Sequence, residues 1–173
     1  MRKKSFVVAL AAAVAVAAAS SQEFTYVGAE KCQVCHRTER QGRQFPIWEA
    51  SAHAKSFEAL GTAAAAELAK QSGLTTPPAE SPSCLACHAP LAAKAPELKT
   101  EGVSCEACHG PGSEYRKLAV MKDRDAAVKS GLVLYGTAEK LQAGCRKCHV
   151  TDHGKVFDTD AGWAKIKHPI PKG

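Results

Sequence analysis

The sequence predicts a mostly α-helical chain of short helices and irregular loops, folded around something other than its own aliphatic side chains. Three observations lead there. No stretch shows strand-like alternation over a useful length, whereas several show helical spacing with caps and glycine stops. The chain has 173 residues and is 45% hydrophobic, but much of that is alanine and a block of it lies at the N-terminus, so large apolar side chains are scarce for one domain. It also carries eight cysteines, which points to disulfides, metals or a bulky bound group in place of a side-chain core.

In chain order, Met1-Arg2-Lys3-Lys4 is a cationic lead, and Phe6 to Ala19 is an apolar run of 14 residues. Ala17-Ala18-Ala19 before Ser20-Ser21-Gln22 offers a small-x-small cleavage site. The run is shorter than the ~20 residues of a membrane span. Residues 1–19 therefore read as a cleaved secretory signal peptide and 20–173 as one mature domain, exported, with no stable membrane insertion. Removing three cations and no acids lowers the formal charge from +6 to +3. No Lys/Arg run occurs elsewhere, so nucleic-acid binding has no support.

All eight cysteines fall into Cys-x-x-Cys pairs, each followed at once by histidine: Cys32/Cys35/His36, Cys84/Cys87/His88, Cys105/Cys108/His109 and Cys145/Cys148/His149. Zinc sites of Cys₄ or Cys₃His type do not demand a histidine after every second cysteine. A disulfide framework would suit an exported chain, but does not explain four identical pairs plus histidine. Cys-x-x-Cys-His is the attachment signature of c-type haem. Two thiols on one helical turn bond the porphyrin edge, and the adjacent imidazole reaches the iron. Four copies imply four covalently bound haem c groups, which would supply the missing interior. With two propionates per haem, the mature protein falls to about −1 when oxidised and about −5 when reduced.

Beyond these four histidines only His53, His153 and His168 remain as second iron ligands, and Met121 is the sole methionine after Met1. One iron is therefore open, or bound by Met121, or completed by a neighbouring chain. His53 lies in Trp48–Phe57, which reads as an amphipathic helix after Pro46. His168 is locked by Pro169. If the segment continues as a helix, His153, four residues past His149, shares its face, so it serves a different haem or is exposed beside Asp152. Packing or exposure is the favoured reading for Met121.

The first cysteines of the motifs are 52, 21 and 40 residues apart, so there is no strict repeat. Only 16 residues separate His88 from Cys105, which should bring the second and third haems close. Ala63–Gln71 reads as a helix ended by Gly73, and Thr75–Ser83 as an exposed connector. Gly110-Pro111-Gly112 makes a turn that a porphyrin could approach. Ser113 is placed to cap a helix from Glu114 to about Lys129, and another from about Ala138 leads into the fourth motif.

Gly28-Ala29-Glu30-Lys31-Cys32, the Trp48…Ser51-Ala52-His53 segment, Gly102-Val103-Ser104-Cys105 through Gly112, and His168-Pro169 together resemble the tetrahaem cytochrome c-554 family and its multihaem relatives. The resemblance implies a mostly α, irregular multihaem cytochrome c fold, with short helices wrapped around four haems in stacked pairs. It also implies a periplasmic location, three bis-histidine irons and one five-coordinate iron, the last suggested at His88. The family's best-known members carry electrons away from an ammonia-oxidation enzyme. Relatives often place a histidine shortly after the Gly-Pro-Gly turn, where this chain has Tyr115.

The expected function is electron transfer between a redox protein donor and acceptor, because no nucleophile–base set or nucleotide-binding loop is evident. The alternatives are a haem enzyme acting on nitric oxide, nitrite, hydroxylamine or peroxide at an open iron, or a subunit of an extracellular haem filament. The enzyme reading needs distal acids or bases, for which Tyr115, Glu106 and Asp152 are the candidates.

Overall fold

Each Cys-x-x-Cys-His motif sits on or at the end of a short helical turn, and the rest of the chain connects and braces those turns. The computed structural model describes residues 23–150 and 156–170. The segment expected to be a signal peptide (1–19), Asp152 and His153 lie outside the described residues.

Helix α1 (Ala29–His36) carries the first motif, α4 (Pro82–His88) the second and α5 (Cys105–His109) the third. The fourth begins at the last residue of α8 (Ala138–Cys145) and continues as turns, with His149 N donating to the Cys145 carbonyl at 3.0 Å. Between them lie α2 (Gln44–Glu49), α3 (Ala63–Gln71), α6 (Leu118–Met121) and α7 (Arg124–Lys129), with α9 (Thr159–Ile166) near the end. Among the described residues there is no strand, so the chain is mostly helical as expected. Nor is any helix among them long and apolar enough to cross a membrane.

The caps explain the starts. Thr62 Oγ1 accepts from Ala65 N before α3 and Thr137 Oγ1 from Lys140 N before α8, while Asp123 and Asp158 each accept two backbone N–H groups before α7 and α9. Pro82 opens α4 in the first turn, where its missing N–H costs nothing. No neighbouring side chain caps helix α1. Its N-terminal amides go to distant carboxylates: Ala29 N donates to both Glu101 oxygens (3.0 and 3.1 Å), and Gly28 N to Glu106 Oε2 (2.8 Å).

Four expectations need correction. The helix from Glu114 to Lys129 is two helices, because Asp123 ends one run and caps the next. Ser113 caps neither; its Oγ accepts from Thr25 N, and its own N–H donates to the Thr25 carbonyl. The helix expected over Trp48–Phe57 stops at Glu49, and Pro46 lies within it. Beyond it the His53 carbonyl accepts from Val103 N at 3.0 Å, a partner outside the local helix. The Thr75–Ser83 connector is shorter than expected, since Ser81 is buried and Pro82 already begins α4.

The buried apolar set is small. Apart from alanines it consists of Phe45, Leu60, Leu91 and Tyr115 among the described residues. Phe45 packs on Trp48 with ring centres 5.3 Å apart. Four large side chains are a slender core for a domain of this length, as the alanine-rich composition implied.

Candidate haem attachment sites

The motif helices project histidines whose Nδ1 atoms are already engaged. His88 Nδ1 lies 2.9 Å from the Ser56 carbonyl, and His109 Nδ1 lies 2.9 Å from that of Val133. A carbonyl can only accept, so in each ring Nδ1 is the donor nitrogen. His36 Nδ1 has the equivalent contact with Gln44 Oε1 at 3.2 Å. Such bonds orient a metal-binding imidazole and raise its basicity.

Two of the spare histidines face two of the motif histidines. The His53 and His149 ring centres are 6.0 Å apart, and those of His109 and His168 are 5.9 Å apart. Two metal–nitrogen bonds of about 2 Å, with the ring radii added, need about this separation. Phe157 stacks on the His149 ring at 4.0 Å and 13°, and Tyr135 meets His109 edge-on at 6.1 Å. His168 Nδ1 is buried with no hydrogen-bond partner, a state that an imidazole facing a bound group would leave. Burial depresses the pKa of His53, His109 and His168, reinforced for His53 by facing His149 and for His168 by facing His109. All three are thereby held in the neutral, metal-binding form.

The cysteines are free thiols that meet across motifs. Cys32 hydrogen-bonds Cys105, which lowers the first thiol and raises the second. Burial, then the charge of and hydrogen bond with Cys87, push Cys148 up to about 11. Burial raises Cys108, with Cys145 adding to it. These neighbours arrange the motifs in the order first, third, fourth, second. Ser56 joins the second motif to Val103, two residues before the third. Ser56 Oγ is 2.7 Å from the His53 carbonyl and 2.8 Å from that of His88, and accepts from Val103 N at 3.0 Å. Gly102 makes room for this: a Cβ there would lie 2.6 Å from both the His53 carbonyl and Ser56 Oγ.

Among the described residues no three His, Cys, Asp or Glu side chains converge as a metal ion would require. A model of the family described as cytochrome c554 and c-prime matches residues 31–110. Over this stretch, somewhat under half of the chain, the sequence is similar to that family. No curated protein and no solved structure matches the chain. The similarity supports a c-type cytochrome, a class that binds haem c covalently and exchanges electrons with redox partners. The matched segment holds the first three motifs, while the fourth lies beyond it.

The structure also reassigns two residues weighed as distal acids. Glu106 is 1% exposed and takes backbone N–H bonds from Val27, Gly28 and Gly112. Tyr115 is buried, which pushes its pKa up, and its hydroxyl donates to the Gly110 carbonyl at 2.8 Å. Both are committed to holding backbone. The Gly110–Gly112 turn is likewise filled by protein, since a Cβ at Gly110 would lie 2.6 Å from the Gly131 carbonyl. Met121 is half-buried at the end of α6. Gln44, Ser56 and the Val133 carbonyl were not foreseen, because a residue that orients a histidine from a distant part of the chain leaves no spacing pattern.

Proposed function

We propose that residues 20–173 form an exported, periplasmic tetrahaem electron carrier. Cys32 and Cys35, Cys84 and Cys87, Cys105 and Cys108, and Cys145 and Cys148 anchor the four haems. His36, His88, His109 and His149 are the proximal ligands. His53 completes the iron of His149, and His168 completes that of His109. The remaining second ligands come from His153, Met121 or a neighbouring chain, or one iron stays open. The observation that carries this reading is the pair of imidazole couples at 6.0 and 5.9 Å, each joining a motif histidine to a distant one.

Haem supplies one-electron exchange at iron, and bis-histidine ligation suits low potentials. The polypeptide's contribution is orientation and exclusion of water. Carbonyls of Ser56 and Val133 orient two imidazoles and Phe157 covers a third. The enzyme alternative is weaker, because Glu106 and Tyr115 have no group free for proton transfer.

Haem analysis and EPR of the oxidised holoprotein test the proposal. Four haems per chain, with low-spin signals from the His53 and His168 sites, are expected. Fewer than four haems, or a His53→Ala variant with unchanged low-spin content, would overturn it.

A further inference from the structure

Gln44 touches two histidine sites at once. Its Oε1 lies 3.2 Å from His36 Nδ1, and its Nε2 donates to the Pro169 carbonyl at 2.9 Å. These contacts fix the amide's orientation. The carbonyl can only accept, so the NH₂ faces Pro169, the oxygen faces His36, and His36 Nδ1 is the donor. Pro169 directly follows His168, whose ring lies 5.9 Å from His109. One side chain therefore spans the histidine of the first motif and the residue beside the histidine paired with the third.

The preceding backbone is shaped to aim it. Gly42 (φ 93°) and Arg43 (φ 52°) are consecutive left-handed residues, and Arg43 is the one non-glycine with positive φ among the described residues. That conformation is unfavourable for an L-residue and persists where the surroundings enforce it. Arg43 is held by Glu39 at 2.9 Å. A Cβ at Gly42 would lie 2.8 Å from the Pro169 carbonyl oxygen and 2.9 Å from Gln44 Nε2. Only glycine lets the C-terminal segment reach the amide.

We propose that Gln44 is a positioning residue that sets the electron affinity of the His36 iron while tethering His168 against His109. The inference rests on the haem-ligand reading of His36 and His168. Accepting the Nδ1 proton raises imidazole basicity and favours the ferric state. The amide is a neutral acceptor, weaker than a carboxylate, and its second arm ties that tuning to the other site.

The test uses the full-chain holoprotein, with Gln44→Met, which lacks both bonds, and Gln44→Glu, which keeps a stronger acceptor. The readouts are spectroelectrochemical titration and EPR. In Gln44→Met one haem should hold about tenfold less ferric form at fixed solution potential, an upward shift of about 59 mV for a one-electron couple. Its high-spin ferric signal should grow as His168 loosens. Gln44→Glu should move one haem the opposite way, and it carries the test alone if Gln44→Met does not fold. Midpoints that stay unmoved, or that move the same way in both variants, would overturn the inference. If wild-type protein holds four haems with a low-spin His168 site and only the Gln44 variants are silent, this inference fails by itself; a wild-type haem count below four removes the reading beneath it.

Discussion

Replacing Glu106 by alanine should uncouple the N-terminal segment from the third motif. In the folded chain Glu106 Oε2 accepts from Gly28 N at 2.8 Å and Oε1 from Gly112 N at 2.6 Å, both buried, with Val27 N adding a partly buried bond. Each buried donor left without a partner costs about 1–3 kcal/mol. Two such donors give a loss of about 4 kcal/mol. For a chain of this size each kcal/mol moves the melting temperature by about 2–4 °C, so Glu106→Ala should melt about 10 °C lower. Glu106→Gln keeps one acceptor oxygen but turns an NH₂ toward the other donors, so it should fall between. The assay is thermal melting by near-UV circular dichroism at matched haem content. A Glu106→Ala protein melting within about 2 °C of wild type would refute the claim that this carboxylate holds residues 27, 28 and 112 together.

His168→Ala should convert one low-spin ferric haem to high-spin in EPR while leaving the haem count unchanged; an unaltered spectrum would remove His168 as a ligand. Ser56→Ala removes the hydroxyl that joins the His53 and His88 carbonyls to Val103 N, and should lower the denaturation midpoint by an amount equivalent to about 1–2 kcal/mol. The Glu101 pKa is raised, first by burial, above its ordinary 4.5. The folded state thus binds the proton more tightly than the unfolded state, so this group's stabilisation is full below 4.5 and is lost as pH rises through the higher folded value. The stability difference between wild type and Glu101→Gln, followed by urea unfolding across that window, should carry this slope; a flat difference would count against it.

What could be read from the residues alone follows from how local each interaction is. Helix α3 runs from Ala63 to Gln71 as expected, because its Thr62 cap and Gly73 stop are neighbours in the chain. The Cys-x-x-Cys-His turns were legible for the same reason. The break at Asp123 was hidden by good helix formers on both sides, and the end of α2 depends on Val103, about fifty residues away. The supports of the histidines were invisible on the same grounds. Gln44 meets Pro169 across 125 positions, and His109 meets the Val133 carbonyl across 24. Side chains that answer to such partners carry no periodicity, and polar residues such as Gln44 and Ser56 look like ordinary surface.

The borrowed cap of α1 bears on how the protein is assembled. The amides of Gly28 and Ala29 are satisfied by Glu106 and Glu101, more than seventy residues further on. A chain that emerges N-terminus first presents Cys32 and Cys35 long before those carboxylates exist. During that interval α1 has no cap and little reason to hold its turn, so the first pair of thiols stays accessible. Arrival of the third motif closes the segment. On the proposed haem reading, thioether formation at the first site would precede docking, and the same two glutamates that finish the helix would close over it.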